Sequence, residues 1–412
     1  MKLTIIGTGY VGLTSALCFA NAGHDVMCID KDENKIDSLK NKIPTIYEKG
    51  LAEMLISALD NKKIEFSSDL AKGVKYSQAI ILAVGTPQDE ASGKADLSYI
   101  FSASKEASKY VDEYKVFITK STVPVGTNHE IKKIIEENFG IKIDVASNPE
   151  FMREGFALDD FMKPDRIVIG VENNNSQKIL EEIYQPWLDK KFPILFTDIK
   201  TAELIKYASN AFLMTKVAFI NEIENLATKI GANISDISKG MGMDNRIGSA
   251  FLNPGPGIGG SCFPKDSMAL NHIAKNHEVK LSILEQVIAT NLQRFKDSAQ
   301  KIQDFCKKNN SKKIAILGLA FKAGTDDVRM SPAIEIIKYL LADNFEIYAF
   351  DPHGIENSKK ILGSKINYCL NLEECFNSAD EVAILTEWPE FKNIKNFANF
   401  STKNILDLRY IL

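Results

Sequence analysis

One stretch of this chain could do covalent chemistry: Gly255-Pro256-Gly257-Ile258-Gly259-Gly260-Ser261-Cys262-Phe263-Pro264-Lys265-Asp266. It sets a cysteine between a glycine-rich loop and the start of a helix. Pro264 suits a first helical position, and an apolar periodic run follows at Met268, Leu270, Ile273 and Ala274. Unpaired backbone N–H groups and the helix dipole there would favour a thiolate over a thiol. The glycines would let backbone approach a ligand closely. Asp266 lies four residues on, so a helix puts it on the face of Cys262. A cysteine is usually a buried small hydrophobe. The loop and the aspartate around this one point instead to a nucleophile.

A second motif says what the thiol could work beside. Residues Lys2–Ile6 form an apolar strand that enters Gly7-Thr8-Gly9-Tyr10-Val11-Gly12, and a helical stretch follows. A further strand, Val26–Ile29, ends at Asp30. Strand, GxGxxG turn, helix and terminal acid form a dinucleotide fingerprint. Gly7 makes the turn, Gly9 admits the pyrophosphate and Gly12 lets helix pack on strand. The pyrophosphate sits on the helix N-terminus. A carboxylate at Asp30 accepts ribose hydroxyls and repels a 2′-phosphate, which favours NAD over NADP.

Elements must hold these groups in place. Strand-like and helix-like runs alternate to about residue 195, most clearly at residues 79–84, 116–119 and 166–170. That predicts a mostly parallel sheet covered by helices. Thr86 and Thr122 fall in turns after two of these strands, where open α/β sheets bind ligands, although plain turn chemistry explains them equally well. From Thr201 to Ile230 the apolar spacing turns helical, with no proline or glycine inside. A helix of about 30 residues spans about 45 Å, enough to link two domains and build a dimer interface. Lys206 and Asn210 share one of its faces. In the last third, residues 313–318 and 345–351 echo the opening α/β unit without its glycines, so a second dinucleotide site is not expected. Lys322 and Arg329, in the loop that replaces the glycines, could bind a diphosphate by charge or simply be solvated.

Composition narrows the class. The 412 residues are 45% hydrophobic and 25% charged, with a net charge of -4. That is ordinary for a soluble chain and gives no reason to expect nucleic acid or an anionic membrane as partner. No apolar run approaches the ~20 residues of a membrane span. The N-terminus runs straight into a core strand, leaving no room for a signal peptide. The six cysteines (18, 28, 262, 306, 369 and 375) form no CxxC pair, which reads as reduced thiols in a cytoplasm. No His/Cys spacing suits a metal, so no structural zinc is expected.

Taken in order, these motifs resemble the nucleotide-sugar 6-dehydrogenases. The resemblance covers nearly the whole chain. It rests on Gly7–Gly12, Gly85-Thr86-Pro87, Ser121-Thr122-Val123-Pro124, Asn148-Pro149-Glu150-Phe151, Arg153-Glu154-Gly155, Lys206 with Asn210, Gly259-Gly260-Ser261-Cys262 and the Phe321–Arg329 loop. It implies an α/β fold of two Rossmann-like, doubly wound parallel-sheet domains joined by a central helical domain with a long helix. The implied boundaries are residues 1–197 for NAD, 198–300 for dimerisation and catalysis, and 301–412 for the UDP-sugar. It also implies a homodimer, and UDP-glucose as substrate, oxidised to UDP-glucuronate for polysaccharide biosynthesis. Alternatives are a sister enzyme for GDP-mannose or a UDP-amino-sugar, a two-electron β-hydroxyacid dehydrogenase, and an NAD-binding sensor without catalysis.

The resemblance also implies residue roles. Cys262 is the nucleophile that captures the aldehyde formed midway. Lys206 stabilises the oxyanion, with Asn210 beside it. Asp266 and Thr122 position a water, and Glu150 is the base in thioester hydrolysis. Gly7, Gly9, Val11, Gly12, Asp30, Lys35, Thr86, Thr122, Glu154, Lys265 and Arg329 match NAD contacts. Glu150, Phe151, Glu154, Lys206, Asn210, the Phe251-Leu252-Asn253-Pro254-Gly255 backbone, Gly259 and Lys322 match contacts to the nucleotide sugar. Arg246 matches an arginine donated across the dimer, and Arg409 matches a sugar-contacting arginine. Ile258 departs from the family, where an aromatic is common.

Overall fold

In the computed structural model, which describes residues 1–89 and 95–412, the chain divides into two compact units, Met1–Ala208 and Ser209–Leu412. The first unit carries eight strands: β1 (Lys2–Ile6), β2 (Asp25–Ile29), β3 (Ile64–Ser67), β4 (Ala79–Leu82), β5 (Val116–Thr119), β6 (Asp144–Ser147), β7 (Ile167–Val171) and β8 (Ile194–Thr197). They form one sheet in the order β3-β2-β1-β4-β5-β6-β7-β8. Leu3 and Ile5 of β1 face one apolar cluster with Leu13, Leu17 and Phe19, while Ile6 faces another with Met27 and Leu82. Both faces are covered, as parallel sheets require. Strand order reverses between β1 and β4, so the crevice beyond their carboxyl ends is where such a sheet binds ligands.

One pairing departs from the parallel expectation: β6 and β7 run antiparallel. Strands buried on both faces read as continuous apolar runs in either direction, so hydropathy does not report their sense. The other departures are end shifts. β4 stops at Leu82, and the Val84 carbonyl accepts from the Ser121 hydroxyl at 2.6 Å instead of continuing a ladder.

The long helix spans Ile199–Ile230, starting two residues before the expected Thr201. The second unit adds helices Ile234–Gly242, Phe263–Asn276 and Ser282–Lys308, then β9 (Lys313–Leu317), β10 (Glu346–Phe350), β11 (Asn367–Tyr368), β12 (Glu381–Ile384) and β13 (Asn404–Asp407). These five strands pair in parallel, in the order β11-β10-β9-β12-β13. The echo of the opening unit in residues 313–318 and 345–351 is therefore a second Rossmann-like half-fold.

Candidate active site

The turn after β1 is built as the fingerprint requires. Gly7 has φ +102°, and a Cβ there would lie 2.6 Å from the Ala83 carbonyl oxygen. A Cβ on Gly12 would lie 2.0 Å from the Gly7 carbonyl oxygen, so only glycine lets this helix meet this turn. Gly9 is different: a side chain there would meet no protein atom within 4 Å. The space it leaves suits something outside the chain. Gly9 also caps the Tyr10–Asn21 helix without a side-chain cap or a first-turn acid, leaving an N-terminus suited to an anion. Asp30 accepts from Thr8 N at 2.8 Å, Thr8 Oγ1 at 2.7 Å and Asp32 N at 3.1 Å. Burial would push its pKa up, but these bonds and nearby Lys35 hold it below the ordinary value. A carboxylate has about four acceptor sites, so capacity remains for a ribose hydroxyl. Thr86 Oγ1 donates to the Thr122 carbonyl at 2.9 Å, tying the turns after β4 and β5. An NAD pyrophosphate and ribose fit this arrangement.

Beyond β6 the chain places Glu150 and Phe151 against the start of the long helix. Lys206 Nζ lies 3.1 Å from Glu150 Oε1, and both side chains are buried. Glu150 Oε2 accepts from Met152 N at 2.5 Å. Phe151 has the Arg166 guanidinium 3.8 Å from its ring centre and Lys206 Nζ at 5.3 Å. The loop carrying Glu154 is pinned by buried Glu48, which accepts from Gly155 N at 2.7 Å, from Ala157 N at 2.9 Å and from the Tyr10 hydroxyl. Sequence reasoning missed Glu48, Lys120 and Arg166. Each sits in an unremarkable run, and the partners described here arrive from distant segments.

In the second unit, Cys262 occupies the N-cap of the Phe263–Asn276 helix, with Pro264 in the first turn. The side chain does not itself cap the helix, and its Sγ lies 3.6 Å from Ser261 Oγ. Asp266 N donates to the Cys262 carbonyl at 2.8 Å. The buried Asp266 carboxylate accepts from Asn210 Nδ2 at 2.7 Å and pairs with Lys265 Nζ at 2.6 Å. Nucleophile, amide, carboxylate and cation thus form one cluster. Lys265, expected as an NAD contact, also pairs with Asp266.

The glycines of the loop correct one expectation. They make room for the protein's own atoms. A Cβ on Gly255 would lie 2.7 Å from Arg409 Nη1, and one on Gly257 would lie 2.3 Å from the Phe295 ring. At Gly259 it would lie 2.3 Å from the Met330 carbonyl oxygen, and at Gly260 2.7 Å from the Phe321 ring. The cysteine loop is thus laid directly on the 321–330 segment. Ile258, the departure from the family pattern, packs with Met214, Ala218 and Val287. Phe251, at φ 64°, stacks edge-on to Phe263 with ring centres 5.7 Å apart. Arg409 reaches the Leu385 carbonyl at 2.9 Å, the Phe321 carbonyl at 3.2 Å and Glu387 at 3.1 Å, which brings it to the Lys322 loop. Arg329 is paired in a fork with Asp327, its shortest contact being 2.7 Å. Arg246 stands exposed and pairs locally with Asp244 at 2.6 Å.

Asp351, at the end of β10, is bonded differently from Asp30. Its carboxylate accepts from Leu319 N, Ala320 N, His353 N, Gly354 N and Trp388 Nε1 at 2.6–3.0 Å. The donors that would hold a pyrophosphate are bound internally.

Three domains of one family match the chain in order. The UDP-glucose/GDP-mannose dehydrogenase family's NAD binding domain matches residues 1–188, its central domain 200–293 and its UDP binding domain 315–412. A UDP-glucose 6-dehydrogenase of Rickettsia bellii (strain RML369-C) is 47% identical over 417 residues, covering 100% of this chain and 96% of that protein. One from Rhizobium meliloti (strain 1021) is 43% identical over 418 residues, covering 100% and 95%. The solved structure of a UDP-glucose dehydrogenase from the hyperthermophilic archaeon Pyrobaculum islandicum matches with a TM-score of 0.92 at 34% identity, covering 100% of this chain and 94% of that one.

Proposed function

This chain belongs to the UDP-glucose/GDP-mannose dehydrogenase family, and from that premise we propose that it oxidises UDP-glucose to UDP-glucuronate with NAD. The observation that carries the chemistry is Cys262 at a helix start, beside the Asn210–Asp266–Lys265 cluster. A two-electron alcohol dehydrogenase has no use for that thiol.

Bound NAD supplies the hydride acceptor. Gly7, Gly9, Val11 and Gly12 hold its pyrophosphate, Asp30 its ribose, and Lys35, Thr86, Thr122, Glu154, Lys265 and Arg329 complete the contacts. Taking a primary alcohol to an acid removes two hydrides, and the aldehyde between them must not escape. Cys262 Sγ adds to the aldehyde carbon, and Lys206 and Asn210 steady the oxygen that gains charge. After hydride loss the same carbon is a thioester. Water then attacks it, the C–S bond breaks, and Glu150 takes the water's proton. Asp266 and Thr122 orient that water. Phe151, the Phe251–Gly255 backbone, Gly259, Lys322 and Arg409 bind the nucleotide sugar.

The enzyme works as a homodimer on the long helix. Phe212, Phe219, Leu226 and Ile230 stand 48–68% exposed along it, an apolar stripe suited to burial against a second copy, and Arg246 is free to reach a partner's sugar site. Among the described residues no helix is long and apolar enough to cross a membrane. Reduced thiols and NAD chemistry suit a cytoplasmic enzyme feeding polysaccharide synthesis.

The test is stoichiometry against a panel of UDP- and GDP-sugars. UDP-glucose should give two NADH per molecule consumed, and Cys262→Ala should abolish acid formation while NAD still binds. One NADH with free aldehyde accumulating, or preference for another sugar, would refute the reading.

A further inference from the structure

Lys120 is a buried cation that this mechanism leaves without a task. It follows β5 directly, one residue before the Ser121-Thr122 turn. Its Nζ donates to Asn148 Oδ1 at 3.0 Å, to the Tyr184 hydroxyl at 3.4 Å and to the Asn148 carbonyl at 3.5 Å, and lies 5.2 Å from the Phe161 ring centre. All three oxygens are neutral. Burying an ammonium with no carboxylate in contact among the described residues is costly, and burial lowers the Lys120 pKa to about 8, against the pull of Glu150.

What Lys120 grips is the anchor of Glu150. Asn148 is held from three sides. Its N donates to the Thr119 carbonyl and its Nδ2 to the Val168 carbonyl, both at 2.9 Å, while Tyr184 and Lys120 both donate to its Oδ1. Pro149 follows, then Glu150. The ionisable groups facing Lys120 are Cys18 from the first helix, Tyr184 from helix Asn174–Leu188, Glu150 after β6 and Lys206 from the long helix. Burial pushes the Cys18 thiol and the Tyr184 phenol up, so both stay neutral. The one anion among these groups is Glu150.

We propose that Lys120 is a positioning residue for Glu150: it clamps Asn148 and so, together with Lys206, holds the Glu150 carboxylate in place for thioester hydrolysis. This rests on the reading of Glu150 as the hydrolytic base.

The experiment compares wild type, Lys120→Met and Glu150→Gln in rapid-mixing NADH assays, with intact-protein mass spectrometry. Methionine keeps the length of the stem and removes the charge, a change that folds often tolerate. Lys120→Met should give a normal burst of about two NADH per active site. Product release should then slow by about 10- to 100-fold, with an adduct on Cys262. KM for NAD and UDP-glucose and the melting temperature should hold. If Lys120→Met does not fold, Lys120→Gln is read in the same way. Release at the wild-type rate, or a loss shared equally by burst, release and NAD affinity, overturns the inference. If Glu150→Gln stalls with an adduct and the Lys120 variant does not, the positioning role alone is wrong. If Glu150→Gln releases product normally, the base assignment fails and takes the inference with it.

Discussion

Asp30 and Asp351 end corresponding strands, β2 and β10, and do opposite things. Asp30 spends three acceptor sites on Thr8 and Asp32 and stands beside a glycine whose missing side chain leaves open space. Asp351 is saturated by five donors from its own domain. An acid at a strand end was legible in both repeats, and the lost glycines told the two apart. That Asp351 itself fills the vacant turn was not legible, because its donors come from residues 319, 320, 353, 354 and 388. At Asp30 the prediction concerns cofactor choice. Asp30→Ser should weaken NAD binding and relieve the repulsion of a 2′-phosphate. The ratio of kcat/KM for NAD over NADP should fall by roughly ten-fold or more. Steady-state kinetics with both cofactors checks this. An unchanged ratio means another group reads the 2′ position.

Among elements, the long helix is held from the Ser282–Lys308 helix and the C-terminal tail through one carboxylate. Glu224 accepts from Arg294 at 2.9 Å, Lys301 at 2.8 Å and the Tyr410 hydroxyl at 2.7 Å. Burial would raise its pKa, but these bonds and charges hold it at about 2, against an ordinary 4.5. A folded pKa below the unfolded one stabilises the fold fully above about 4.5, and that contribution is lost as pH falls towards about 2. Glu224→Gln, which strands buried Arg294 and partly buried Lys301, should therefore cost about 3 kcal/mol at neutral pH. Its deficit against wild type should close across that acid window in denaturant titrations. A deficit independent of pH would assign the loss to packing. The cysteine loop is a second element-scale case. Its glycines were visible in sequence, but the purpose of four of them was not, since Phe295, Phe321, Met330 and Arg409 all lie beyond it in the chain. Because Gly259 and Gly260 seat the loop on the segment that carries Lys322, Lys322→Ala should raise KM for UDP-glucose far more than for NAD. Equal effects would put that segment outside the sugar site.

For the whole molecule, apolar spacing located the long helix to within two residues of its start, the alternation of runs gave the first sheet, and the echo at residues 313–318 and 345–351 gave the second. It could not give the antiparallel β6–β7 pair, whose buried strands carry no sign of direction. Nor could it separate the core-facing stripe of the long helix from a second one. Phe212, Phe219 and Leu226 recur every seven residues, a spacing that drifts only about 20° per step around a helix. Met214, Ala218 and Ile220 on the same helix are buried, so the exposed stripe is additional to the core. Exposed phenylalanines in such a row are costly unless covered, and a second copy offers the same row in return. A Phe212→Glu/Phe219→Glu double variant should run as a monomer by light scattering, while wild type runs as a dimer or a multiple of one. Both positions point away from the folded core, so the variant monomer should keep its secondary structure and its NAD affinity. It should lose UDP-glucose affinity, because Arg246, exposed and, among the described residues, paired with Asp244, would no longer reach a partner's sugar site. A wild-type monomer would remove the dimer. A variant monomer with unchanged KM for UDP-glucose would keep the interface and remove Arg246 from the site.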